Sequence, residues 1–337
     1  MPNWLRFIFG VLVWLGVQEH CPAAADPQPL LKADFARDPL VQGWELRACG
    51  TQPFGGGWND VDGMPGSRCL TVRLGYWQSP SLAVGPLHYY RLRFSARSES
   101  AGFWAAVFLD ADGKELAADA YDQVCGSKDW AGHTFCFRAH AAAARVWLRF
   151  QAVEKPLQVG RVVVEQVDCP TVAAWADEIA AACPLVTYEP PEQRCRLLPR
   201  TMATLEKGGL LRIVMLGDSI CNDTSNSLYE TLLNRVYPKA QIEVTTSIRS
   251  GTGCQYYKED HHVQEYVLRF KPDLVIIAGI SHDFDAESIR SVIRQIRAGS
   301  KSEILLLSGA ICPAEEVRQG YFKRCGLPLG KYPCRIS

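Results

Sequence analysis

The chain has 337 residues, 47% of them apolar and 21% charged, an ordinary globular composition with length enough for two hydrophobic cores. Disorder, collagen and coiled coil are excluded. Lysine plus arginine equals aspartate plus glutamate at 36 each, so no basic field exists to hold nucleic acid and no nucleic-acid partner is expected.

Residues 1–25 read as a secretory signal peptide: Arg6, an apolar run from Phe7 to Val17, then Ala23, Ala24 and Ala25 before Asp26. The apolar run is too short to span a bilayer as a helix, and no later stretch approaches the roughly 18 residues needed. A secreted or periplasmic protein without a membrane span is expected. Cys21 is a conceivable lipid attachment point, but Glu19 and His20 stand where that signal wants small residues. Setting Cys21 aside leaves twelve of the thirteen cysteines, an even number that an oxidising compartment permits to pair. Full pairing and a mixture of disulfides with buried thiols both fit. No Cys-x-x-Cys occurs, which removes the strongest zinc-ribbon and thioredoxin-like signals.

Residues 26–167 form the next unit, expected to be a β-sandwich. Apolar residues alternate with period two at Leu70, Val72 and Leu74, at Leu92, Phe94 and Ala96, and at Phe103, Ala105, Val107 and Leu109. Further strands follow at Phe135 and Phe137, at Val146, Leu148 and Phe150, and at Val162 and Val164, with Asp112 and Gly113 supplying a turn. Repeated short strands without helices predict an all-β sandwich. Residues 168–196 change to a short helical stretch, Val172 to Ala182, followed by Pro184, Pro190 and Pro191, and read as a linker.

Residues 197–337 alternate strand and helix. The run Ile213 to Leu216 precedes a helical stripe at Leu228, Leu232 and Val236, and then come Ile242, Val244, Thr246 and Ile248. A second stripe, Val263, Tyr266, Val267 and Phe270, leads into Leu274 to Ala278. Ile289, Val292, Ile293 and Ile296 follow at helical spacing before a last run, Ile304 to Leu307. Four strands with crossover helices predict an α/β domain with a parallel sheet. Ligands bind such sheets beyond the carboxyl ends of the strands.

Those ends are Gly217-Asp218-Ser219-Ile220, Ser250-Gly251-Thr252-Gly253 and Gly279-Ile280-Ser281-His282. With Asn222-Asp223-Thr224 and the glycine-rich Arg249 to Cys254, they make the third unit resemble the SGNH or GDSL hydrolases. The resemblance implies a flavodoxin-like three-layer fold and ester hydrolysis. Ser219 would be nucleophile and oxyanion N–H donor, at a helix start that favours developing negative charge, and Gly251 a second donor. Ser281 stands where the family carries asparagine, so its hydroxyl is a shorter candidate oxyanion donor. The family's Asp-x-x-His pair is absent, and no histidine follows Leu307. Either the chain is a fragment or another base serves. His282 is the candidate substitute, and without it weak activity is expected.

Other residues have plainer readings. His261 and His262 are adjacent in a helix and diverge by about 100°; Glu259 and His262 can face one way, but a third ligand is missing, so no metal and no cofactor are expected. Asn222-Asp223-Thr224 is formally a glycosylation sequon, but helix capping suits it better beside a nucleophile. Cys221 and Cys254 read equally as a disulfide or as two buried thiols. The sandwich resembles, in architecture rather than motif, the galactose-binding-like jelly rolls found beside carbohydrate-active enzymes. Trp44, Trp58, Trp77, Trp104, Trp130 and Trp147 are either core or sugar-stacking faces, and Trp58 in Gly55-Gly56-Gly57-Trp58 is the candidate substrate contact. The leading expectation is a secreted serine esterase that removes acyl, such as acetyl, groups from a carbohydrate. The alternative is a non-catalytic carbohydrate-binding or surface protein with a degenerate or truncated hydrolase domain.

Overall fold

The computed structural model describes residues 29–51, 53–60, 68–124, 126–182, 196–282 and 285–307. The expected signal peptide at residues 1–25, the prolines at 184, 190 and 191, and the tail with Cys312, Cys325 and Cys334 lie outside the described residues.

Twelve strands come first: β1 (Leu31–Ala33), β2 (Glu45–Ala48), β3 (Gly55–Asp60), β4 (Arg68–Arg73), β5 (Gly75–Gln78), β6 (Leu82–Ala83), β7 (Tyr89–Ser98), β8 (Gly102–Leu109), β9 (Glu115–Val124), β10 (Ser127–Arg138), β11 (Arg145–Ala152) and β12 (Leu157–Val167). All pair antiparallel, in two sheets. One runs β10-β7-β12-β4-β3 with β1 beside β12, the other β2-β5-β11-β8-β9 with β6 beside β11. The alternation turns one side of each sheet inward, and the two inner faces bury Leu70, Leu92, Phe94, Leu148, Phe150 and Val164 between them.

Strand β8 departs from the expected phase. Trp104, Ala106 and Phe108 face the main core, whereas Ala105 and Val107 sit on the opposite side under Trp147, Tyr76 and Tyr121. Both faces of this strand are covered, so alternation gave the strand but not its inward side. Trp44, Trp77, Trp104 and Trp147 are all buried, which removes four of the six tryptophans as open sugar-stacking faces.

Helix α1 (Cys169–Ala182) follows. The expected linker helix is present, but it is docked: Trp175 Nε1 donates to the Thr134 carbonyl of β10 at 3.2 Å, and Asp177 pairs with Arg235 at 3.0 Å.

The second unit comprises α2 (Pro199–Lys207), β13 (Gly209–Gly217), α3 (Ser219–Asn226), α4 (Glu230–Val236), β14 (Ala240–Ile248), α5 (Cys254–Tyr257), α6 (His262–Tyr266), β15 (Leu274–Ala278), α7 (Ala286–Gly299) and β16 (Glu303–Leu306). The four strands are parallel in the order β14-β13-β15-β16. Ile213 and Met215 face α2, α3 and α4, while Val214 and Leu216 face α5, α6 and α7, giving helix, sheet and helix layers. The Leu232 and Val236 stripe is exposed rather than buried. Helix α4 instead turns Glu230 and Thr231 inward, because the sandwich lies against it. Among the described residues no helix is long and apolar enough to cross a membrane.

The two units meet through buried polar contacts. Arg138 of β10 pairs with Glu230 and donates to Ser225 Oγ at 3.1 Å, and Tyr89 OH donates to Glu230 at 3.1 Å. His140 Nε2 bonds the Thr246 carbonyl at 2.9 Å. The Asn222 and Asn226 amides donate to the Asp119 carbonyl of β9 at 2.8 and 3.1 Å. Asn222 is therefore a buried bridge between the units, neither a helix cap nor an open glycan acceptor.

Candidate active site

Strands β14 and β15 flank β13 on opposite sides, so the chain reverses its winding direction around β13. A crevice opens at such a switch point beyond the carboxyl ends. Three loops converge there: residues 217–219, 249–253 and 279–282.

Asp218 organises them. It is 1% exposed, and as N-cap of α3 it accepts from Ile220 N at 3.0 Å. Its other oxygen accepts from Ile280 N at 2.8 Å and Ser281 N at 2.7 Å. Burial raises the Asp218 carboxyl, but hydrogen bonds from the Ser281 side chain and from the Ser281, Ile280 and Ile220 backbone outweigh it and hold the group below its ordinary value. Gly279, at φ +117°, permits this approach, since a Cβ there would lie 2.4 Å from the carboxylate. Further backbone contacts join the loops. Arg249 N donates to the Gly217 carbonyl at 3.1 Å, and the Tyr257 hydroxyl donates to it at 2.6 Å.

Ser219 opens α3 and is half-buried. Neither its hydroxyl nor its N–H has a partner among the described residues, and the N–H of Gly251, exposed at φ +64°, is likewise unpaired there. The two loops thus present a hydroxyl and two N–H groups that have no partner among the described residues. The other two candidates are committed elsewhere. Ser281 gives both its N–H and its hydroxyl to Asp218, so it is not a free oxyanion donor. His282 is buried, its Nδ1 accepting from Cys254 N at 3.1 Å and its Nε2 bonding the Ala278 carbonyl at 3.1 Å. Neither nitrogen is left in this arrangement to take the Ser219 proton.

Cys221 and Cys254 are both free thiols, each pushed up to about 12 by burial, so they lie near the site as apolar packing rather than as a disulfide. His262 stacks on Tyr256 at 3.9 Å and its Nδ1 bonds the Tyr256 carbonyl at 2.8 Å. Trp58, on β3, is half-buried; its Nε1 donates to the Phe35 carbonyl at 2.7 Å and Arg68 lies 4.2 Å over its ring. One aromatic face is thus already occupied.

Sequence reasoning missed the cavity between the units. It measures about 550 Å³ and lies between the edge strands β9 and β10 on one side and α1, α3 and α4 on the other. Its walls come from residues up to 129 positions apart, Phe103 to Leu232, which no local pattern links.

No family model matches the chain, and no curated protein matches it. Among solved structures, the enzymatically active domain of bacteriophage CBA120 tailspike protein 4 is 16% identical over 40% of this chain and 20% of its own, at a TM-score of 0.34. The CBM22-1 xylan-binding domain from Paenibacillus barcinonensis Xyn10C is 14% identical over 43% of this chain and 99% of its own, at 0.33. The CBM22-1-GH10 modules of Clostridium thermocellum xylanase 10B are 8% identical over 74% of this chain and 37% of theirs, at 0.32.

Proposed function

We propose that this chain is an exported ester hydrolase acting on an acylated carbohydrate, with Ser219 as its nucleophile. One observation carries the reading: the Ser219 hydroxyl and N–H are both unpaired among the described residues, at the switch point of a parallel sheet, with the bare N–H of Gly251 in the next loop. Ser219 Oγ would attack the ester carbonyl carbon while the N–H groups of Ser219 and Gly251 take the oxyanion. The carbon–oxygen bond to the sugar then breaks, the sugar hydroxyl leaves with a proton, and water releases the acid from the acyl-serine.

Deprotonation of Ser219 is the slow step in this account, because His282 is tied to the backbone at both nitrogens. Oxyanion donors and binding without a base leave roughly 10³ to 10⁴ over water, and turnover of a simple acetyl ester is expected near that level. A serine-directed phosphonate should label Ser219 in the full chain and leave Ser219→Ala unlabelled. Labelling at another residue, or ester turnover unchanged in Ser219→Ala, would remove the assignment. A second reading, a non-catalytic carbohydrate-binding protein on a hydrolase-like frame, is favoured by Ser281, whose two donors are both spent on Asp218. Absence of labelling together with saccharide binding would select it.

A further inference from the structure

We infer that the cavity between the two units binds a neutral saccharide. The inference rests on the carbohydrate substrate proposed above and names where its sugar part would sit. A volume of about 550 Å³ falls within the range of small-ligand sites. The cavity opens between β9 and β10, each the last strand of its sheet, and α1, α3 and α4 close it from outside. Neither unit makes this site alone.

The lining mixes flat apolar faces with hydrogen-bonding groups. Phe103, Phe135 and Trp175 supply rings on which the C–H face of a sugar can stack. The Gln123 amide is open, and Asn226 spends its amide N–H on Asp119, which leaves its oxygen as an acceptor. Asp122 accepts from Gln123 N through one oxygen and keeps the other. An acyl or lipid chain would strand these polar groups, whereas sugar hydroxyls pair with them. Asp122 and Asp223 both line the space, so an acidic sugar would meet like charge.

Position connects the cavity to the nucleophile. Asp223 lies one turn after Ser219 on α3, about 6 Å along the helix and on the same face. A saccharide held at Asp223 and Asn226 would therefore extend along α3 toward Ser219.

Calorimetric titration of full-length Ser219→Ala with xylohexaose, cellohexaose and hexagalacturonate tests this without any turnover. At least one neutral hexamer should bind, and hexagalacturonate should bind tenfold or more weakly. Phe103 and Gln123 are cross-strand neighbours on β8 and β9, and the Gln123 side chain makes no hydrogen bond across the unit boundary among the described residues. Adding Phe103→Ala or Gln123→Ala should weaken binding about tenfold each while the melting transition of Gln123→Ala stays in place. Failure of both neutral hexamers to bind, preference for the charged one, or affinity unchanged in both variants would overturn the inference. Because the titration uses an unreactive chain, its failure and a failure of phosphonate labelling at Ser219 are separate results.

Discussion

Among the described residues the two most deeply buried carboxylates, Glu230 at the boundary between the units and Asp218 at the strand-end loops, are neutralised in opposite ways. Glu230 faces a guanidinium, Arg138, supplied by the other unit and itself 6% exposed. Asp218 faces neutral donors only, three backbone N–H groups and a serine hydroxyl from its own unit. A charge pair ties two separately built layers together, and losing either partner strands the other. A carboxylate held by backbone N–H groups fixes loop positions instead, at modest energetic cost if a single donor is lost. Stability thus concentrates at the boundary, and geometry at the loops.

The sharpest way to break this contrast is Glu230→Ala, which leaves Arg138 buried without its partner. A loss of about 3–5 kcal/mol is expected in urea unfolding, much reduced when Arg138→Met is added. A wild-type midpoint for the single variant would dissolve the distinction.

The boundary also contains His140, whose imidazole is lowered to about 4, chiefly by burial, with Arg138 and Arg269 nearby adding to the effect. The folded protein keeps it neutral while the unfolded chain takes up a proton below about 6.5, so stability falls as pH drops from about 6.5 toward 4. The loss reaches roughly 3 kcal/mol across that window. Unfolding free energies from pH 7 to 4 should show a shallower decline for His140→Gln than for the wild type.

The loops call for the smallest change, Asp218→Asn. It should cost about 1–3 kcal/mol and lower the phosphonate labelling of Ser219 more than stability alone explains. The folded Asp218 carboxyl sits below its ordinary value, so its contribution is full above roughly pH 3.9 and disappears as pH falls through the folded value. The variant should accordingly lose part of the steep acid limb. Labelling that follows stability point for point would mean that Asp218 does not position the loop.

Much of the frame was legible in the residues. Period-two runs such as Leu92, Phe94 and Ala96 record one buried face of a strand, and uninterrupted runs such as Val214 to Leu216 record burial on both. The three loops were locatable because each ends a run of that kind. What escaped was direction. Asp218 stands next to Ser219, yet its carboxylate contacts residues 62 and 63 positions away. His282 stood at a strand end, but its ring is claimed by Cys254 and Ala278. Likewise Leu232 and Val236 obey helical spacing on a helix whose buried side was decided by the sandwich lying against it. Local pattern records which element forms; long-range partners decide which way each side chain turns.

The asparagines of α3 carry a consequence for solubility. Strand β9 ends its sheet, so its outer backbone would offer unpaired N–H and C=O groups along an open edge. Asn222 and Asn226 cover it at the Asp119 carbonyl, and Tyr121 on the same strand bonds Asp223. A sandwich cut away after Val167 would lose that cover and present a bare strand to another copy of itself. Helix α3 therefore acts as a guard against edge-to-edge self-association of the sandwich.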